Sequence, residues 1–369
     1  MKRRCPVVLS CLIVPVLFLA AAPLTRAENT GELQDHLKKA ADLSTPGTGL
    51  KPWHTKLSVQ LYDFKGVSTG AGTVEEWWMA PGNEKRVFAL PDYQGTEIIT
   101  ADGTFRSAGL ISEPMMLATI VNQFVNPMAE EDKAAGFKPT ARTLQLGGVT
   151  LPCVMLAKSN SRVENQPIGF YPSWCTEPGK DSLRVFVDDG GIAVIRNGIS
   201  SFQGKDIPTD VSITLNGTVV GTGHVEAISL DGMPSAPFTP DRDMVKASPR
   251  PVELKGKKFE NQADKRTEPD FKRSATGVDQ STRTLNGALQ GDVEIRLWVG
   301  EDGQIRDMRL ESYPAPGFAQ TAFDAVRQWT FHPYMVEGRG VPFTGTLDFQ
   351  INNTDYDRQM RRQPGFAGP

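Results

Sequence analysis

Between Trp53 and about Leu230 the sequence repeats one device: a short run of alternating apolar and polar residues, then a break at Gly, Pro or Asp. Leu57, Val59 and Leu61 alternate with Ser58, Gln60 and Tyr62. Successive side chains of a strand point to opposite faces, so each such run buries one face only. Further runs at 73–79, 86–90, 96–100, 149–157, 183–187, 192–196, 211–215 and 219–228 continue the series. Asp102-Gly103, Asp189-Gly190-Gly191 and Asn216-Gly217 supply turns between them. Connections this short join antiparallel neighbours, and the pattern predicts a meandering antiparallel sheet. Helical spacing replaces it in two places. Residues 28–44 put Leu33, Leu37, Ala40 and Ala41 on one face, and residues 114–125 do the same with Met116, Ile120 and Phe124.

A chain of 369 residues asks for two or three domains. Its start carries Lys2-Arg3-Arg4, an uncharged apolar run over 5–24, and small residues at Thr25 and Ala27. That is the pattern of a secretory signal peptide cut after Ala27, with a periplasmic mature chain. The competing reading is an inner-membrane anchor through residues 5–24 facing the periplasm, since about 20 apolar residues span a bilayer. Pro6, Pro15 and Pro23 interrupt that run. Removing the four basic residues of 1–27 turns a net charge of −3 into −7. An acidic chain without a basic block is ill suited to nucleic acid. Cys153 and Cys175 lie beyond the leader, and two thiols in an exported domain read as one disulfide, with a pair of buried free thiols as the alternative.

From 234 to 286 Pro, Lys, Asp, Ser and Thr dominate and apolar periodicity fades. Residues 246–273 hold nine Lys/Arg and five Asp/Glu, which reads as a flexible basic linker. Alternation returns with Val293, Ile295, Leu297 and Val299, and Glu301-Asp302-Gly303 makes a turn. Ile305, Met308 and Leu310 follow on a second strand with imperfect alternation. Helical spacing over 316–329 places Phe318, Ala322, Ala325 and Trp329 on one face, and Leu347, Phe349 and Ile351 alternate on a last strand. The order over 287–353 is β-β-α-β, followed by a polar tail at 354–369.

The string Gly291–Val299, the turn Asp302-Gly303-Gln304-Ile305, and Ala325-Val326-Arg327 leading to Trp329, Phe331 and Pro333 carry a resemblance. This module resembles the C-terminal domain of the TonB family of periplasmic energy-transducer proteins. The front domain is similar to the LolA-like antiparallel half-barrel, through Val74-Glu75-Glu76-Trp77-Trp78, Phe202-Gln203-Gly204-Lys205 and Phe238-Thr239-Pro240. Together they give a mainly β, α+β protein: residues 28–233 as the sheet domain, 234–286 as linker and 287–353 as the TonB-like module. The chain departs from the transducer pattern in lacking a long Pro/Lys/Glu-rich stalk, and Leu285-Asn286-Gly287 stands where the family has Tyr-Pro.

The TonB resemblance implies capture of an extended segment of an outer-membrane receptor, or of another envelope protein, by addition to a sheet edge. The candidate edge strand runs through Val341, Phe343, Thr344, Gly345, Thr346, Leu347, Asp348, Phe349, Gln350 and Ile351. A second copy of the domain, forming a homodimer, or the C-terminal tail is the alternative cover. The LolA-like resemblance implies a lipid or lipoprotein cargo, with Trp53, Trp77, Trp78, Met115, Met116 and Phe124 as candidate cavity residues. Core packing is the competing role for these aromatic and Met side chains. Glu75 and Glu76 are adjacent and point to opposite faces of a strand, so they make no acid–base pair. No GxSxG, HExxH or P-loop occurs, and the sequence reads as a non-enzyme without metal or cofactor.

Overall fold

The computed structural model describes residues 30–45, 49–128, 137–158, 168–169, 171–188, 191–248, 250–271, 290–312 and 316–352. The expected leader (1–27) and polar tail (354–369) lie outside the described residues. Helix α1 (Thr30–Ser44) comes first, burying Leu33, Leu37, Ala40 and Ala41 as its spacing predicts. It is followed by β1 (Trp53–Tyr62), β2 (Ser68–Ala80), β3 (Asn83–Leu90), β4 (Tyr93–Thr100) and β5 (Gly103–Arg106). Helix α2 (Met115–Val125) interrupts before β6 (Phe137–Leu146), β7 (Val149–Lys158), β8 (Ser173–Thr176), β9 (Leu183–Val187) and β10 (Ile192–Asn197). A small hairpin, β11 (Ser200–Phe202) and β12 (Lys205–Ile207), leads to β13 (Asp210–Leu215) and β14 (Thr218–Ser229).

Apart from β11 and β12, which pair only with each other, these strands join β15 (Val245–Lys246) in one 13-stranded sheet of order β15-β5-β4-β3-β2-β1-β14-β13-β10-β9-β8-β7-β6. All its pairings are antiparallel. In β1 the alternation holds: Trp53, Thr55, Leu57 and Val59 are buried and the residues between them are half-buried. Helix α2 lies on this inner face against β14, where Gly221 and Gly223 leave room for it. A Cβ on Gly223 would stand 2.6 Å from Ile120 Cγ2 and 3.0 Å from Phe124 Cε2. Cys153 and Cys175 are direct cross-strand partners on β7 and β8, and they form the expected disulfide.

The C-terminal module has β18 (Gln290–Val299), β19 (Ile305–Ser312), α4 (Pro316–Val326), β20 (Thr330–Phe331), the hairpin β21 (Tyr334–Val336) and β22 (Arg339–Val341), and β23 (Phe343–Asn352). Val293, Ile295, Leu297 and Val299 are buried against Phe318, Ala322, Phe323 and Val326 of α4. Irregularities in the β18–β19 register, next to Ile295 and Val299, account for the imperfect alternation of β19.

Part of the segment expected to be a flexible linker (234–286) departs from that expectation, while residues 249 and 272–286 lie outside the described residues. Val245 and Lys246 pair with Arg106 and Phe105 of β5. Next, β16 (Val252–Glu253) pairs with β23, a short helix α3 (Lys257–Glu260) follows, and β17 (Ala263–Lys265) pairs with β20. Residues 245–248 and 250–265 therefore form a strap bonded to both domains. Its strands are two or three residues long, too short for alternation to register, and their partners lie far away in sequence.

Candidate functional site

The module's sheet has the order β16-β23-β18-β19. Strand β23 runs antiparallel to β18 over ten paired positions without a register shift, from Gln290↔Asn352 to Val299↔Phe343. On its other side the Val252 and Leu254 N–H groups donate to the carbonyls of Pro342 (2.9 Å) and Thr344 (2.8 Å). Backbone groups of a strand alternate in direction, so the even-numbered residues of β23 turn theirs away from β18. By that alternation Thr346, Asp348 and Gln350 present N–H and C=O groups at the edge. Among the described residues no strand pairs with them on that side.

The edge expected over 341–351 is therefore shorter than its sequence pattern implied. Val341 belongs to the β21–β22 hairpin, paired with Tyr334, and the groups at Pro342 and Thr344 are taken by the strap. Phe343, Leu347 and Ile351 are core side chains, Phe349 packs against Phe271 and Trp329, and Gly345 lies beneath Phe259. Asp348 and Gln350 are exposed and Thr346 is half-buried. Asp348 sits directly opposite Glu294. Burial first, then Asp292 and Glu260, raises its carboxyl above the ordinary value. Arg296 supplies the nearby positive charge, 4.0 Å from Glu253 of the strap.

The six apolar candidates of the front domain divide among separate places. Trp53 and Trp78 are buried and stacked, ring centroids 4.8 Å apart, with Phe202 set edge-on to Trp53. Trp77 points to the opposite face of the sheet, stacked on His54. Phe124 is core beneath α2, Met116 packs at the margin of that core, and Met115 is half-buried. The strand period separates Trp77 from Trp78, and the helix carries Phe124 into the sheet.

One constellation is not among the sequence expectations: a ladder of buried carboxylates and half-buried guanidiniums on the inner face. Glu76, Arg86, Glu97 and Arg106 are successive register partners across β2, β3, β4 and β5. Glu76 and Glu97 are 2% and 4% exposed. Arg86 Nε donates to Glu76 (3.1 Å), while its two terminal nitrogens reach Glu84 and Glu113 (3.3 Å each). Arg106 Nε donates to Glu97 (2.7 Å) and Nη1 to Glu301 of the module (3.2 Å). Ser112 donates to Glu301 through both its N–H (3.1 Å) and its hydroxyl (2.7 Å), and that hydroxyl accepts from Arg306 (3.0 Å). Carboxylates outnumber guanidiniums around Arg86. Burial and the neighbouring Glu76, outweighing Arg86, push Glu84 up to about 7. Burial would also raise Glu301, but its bonds from Ser112 and the charge of Arg106 hold it below the ordinary value. The sequence signal for the ladder exists: each of these charges falls in phase with the inward-facing residues of its own strand, as Glu76 does between Val74 and Trp78.

Two further polar ties hold α1. His36 Nδ1 lies 2.8 Å from Asp181 and Nε2 3.0 Å from the Thr176 hydroxyl. The order matches a nucleophilic relay, but Thr176 is 1% exposed on β8 and its hydroxyl meets the helix, so the contact anchors α1. Arg196, 1% exposed, donates to Ser44 Oγ and to the carbonyls of Leu183 and Asp206, and burial lowers its pKa to about 10. Among the described residues no group of three or more His, Cys, Asp or Glu side chains is arranged to hold a metal ion.

Residues 283–351 match the family model of the Gram-negative bacterial TonB protein C-terminal domain. The C-terminal module is thus of the TonB C-terminal class, about one fifth of the chain. A comparison with curated proteins by sequence finds no match. Among solved structures, the chain is similar to a LolA superfamily protein from Nitrosomonas europaea at 10% identity and a TM-score of 0.37, over 55% of this chain and 94% of that one. It is also similar to a domain named as an outer membrane lipoprotein-sorting protein, from Vibrio parahaemolyticus, at 9% identity and a TM-score of 0.38, over 56% and 96%. No helix among the described residues is long and apolar enough to cross a membrane.

Proposed function

We propose that this is a periplasmic, non-enzymatic binding protein whose C-terminal module captures an extended segment of an envelope partner, an outer-membrane receptor in the TonB manner, by strand addition to β23. The observation that supports it is the run of even-numbered residues Thr346, Asp348 and Gln350, whose backbone groups no described strand covers. Main-chain hydrogen bonds supply affinity in such a mode, and side chains at alternate positions supply selectivity. The front domain's role is to hold the module through Glu301 and the strap.

A photocrosslinking residue at Gln350 of the full-length protein, exposed to detergent-solubilised outer membranes, tests the reading. Mass spectrometry of the adduct is expected to identify one extended segment of an outer-membrane protein. Thr346→Pro removes an edge donor without touching the β18 pairing, and edge strands tolerate proline. It is expected to abolish the adduct while leaving thermal unfolding unchanged. Adducts scattered over many proteins, or one that survives Thr346→Pro, refute strand addition.

A further inference from the structure

The strap already shows how a strand sits on this edge. Val252–Glu253 runs parallel to β23 in the register Val252↔Phe343 and Glu253↔Thr344. It uses the Pro342 and Thr344 carbonyls, the same outward-turned set that continues into Thr346, Asp348 and Gln350. A two-residue parallel pairing holds little by its own hydrogen bonds. What fixes it is burial at the end of the hydrogen-bonded stretch and just beyond it. Leu254 is 2% exposed, and Phe259 is fully buried between Phe331 and Phe343. The Phe259 ring lies across Gly345, where a Cβ would come within 2.3 Å of it, so glycine at 345 is what admits the ring. Beyond α3, Gln262 accepts from the His332 N–H (2.7 Å), and β17 pairs with β20. On the solvent side Glu253 faces Arg296.

We infer that Val252-Glu253-Leu254 is an internal occupant of the partner-binding edge, and that the partner binds by displacing it. The inference rests on the strand-addition reading above and adds to it the partner's direction and chemistry. The segment that fits runs parallel to β23 in the order apolar, acidic, apolar, with the acid set against Arg296 and the apolar residues entering where Val252 and Leu254 now sit. A strand longer than the strap continues along Thr346, Asp348 and Gln350. Tethering keeps the strap at an effective concentration on the order of millimolar, so a free segment competes poorly until the strap is released. Release frees a stretch that starts six residues after Lys246, which is bonded to β5. Occupation of the edge is thereby coupled to the front domain.

The test uses full-length protein and a fluorescein-labelled synthetic peptide of residues 250–256, read by fluorescence anisotropy. Leu254→Ala/Phe259→Ala loosens the strap and is expected to bind the peptide at least ~10-fold more tightly than wild type, the tether no longer competing. Because that variant removes core side chains, a second one carries the test independently. Glu253→Cys/Thr344→Cys joins ladder neighbours about 4.8 Å apart, within disulfide reach. Oxidised, it is expected to bind no peptide, and reduction is expected to restore wild-type binding, with equally reduced wild type as the control for Cys153–Cys175. Equal affinity in wild type, loosened and locked proteins overturns the inference and leaves strand addition standing. Binding by none of the three also overturns it, and the Gln350 adduct then tells whether the edge reading falls with it.

Discussion

Glu84→Gln probes the charged ladder at its most perturbed member. The Glu84 side chain is 15% exposed and accepts from Arg86 at 3.3 Å, with Glu76 and Glu97 beside it. Burial and the Glu76 charge raise its pKa from 4.5 to about 7. Below pH 4.5 the carboxyl is protonated in both folded and unfolded chains, and between 4.5 and 7 only the folded chain holds the proton. Stability from this group is therefore fully present below about pH 4.5, falls as pH rises, and is gone above about pH 7. At ~1.4 kcal/mol per pKa unit the rise corresponds to about 3 kcal/mol, of which about 2–3 is expected between pH 5 and 8. Glutamine keeps an acceptor for Arg86 and does not titrate. Urea unfolding of wild type and Glu84→Gln at pH 5, 6, 7 and 8 reads the difference. The variant is expected to gain on wild type by about 2–3 kcal/mol from pH 5 to pH 8. Parallel stability–pH curves for the two proteins would refute the reasoning, because the folded and unfolded pKa values would then be equal.

Two other perturbations follow from the packing. Glu301→Ala removes the carboxylate shared by Arg106 and Ser112; both members of the Arg106–Glu301 pair are half-buried, so the cost is expected to stay below the ~3–5 kcal/mol of breaking a fully buried pair. The cost is expected to fall on the docking of the module, so calorimetry should show one unfolding transition becoming two, and a single unshifted transition would count against the interdomain role. Gly223→Ala sets a methyl 2.6 Å from Ile120; overpacking of this sort costs about 1–3 kcal/mol, to be read as a lowered urea midpoint.

Much of the architecture follows from the sequence alone, wherever one residue's environment is set by its near neighbours. The alternation of Leu57, Val59 and Leu61, the α1 stripe of Leu33, Leu37, Ala40 and Ala41, and the β-β-α-β order from Val293 to Ile351 are local patterns, and the fold follows them. The Cys153–Cys175 pairing is of the same kind, because that region holds no other thiol. The last strand was legible as a strand and, through the family resemblance, as a candidate edge, but its open extent was not. Which of its backbone groups stay open depends on Val252 and Leu254, some ninety residues earlier. Glu76, Arg86, Glu97 and Arg106 each stand in phase with the inward-facing residues of their own strands, but nothing local says that they meet. Antiparallel register alone sets them side by side, and only burial beneath a second domain turns Glu301 into their neighbour. Periodicity records which face of an element is apolar; what lies against that face, and which edge is left unpaired, are properties of long-range contacts that only the tertiary structure decided.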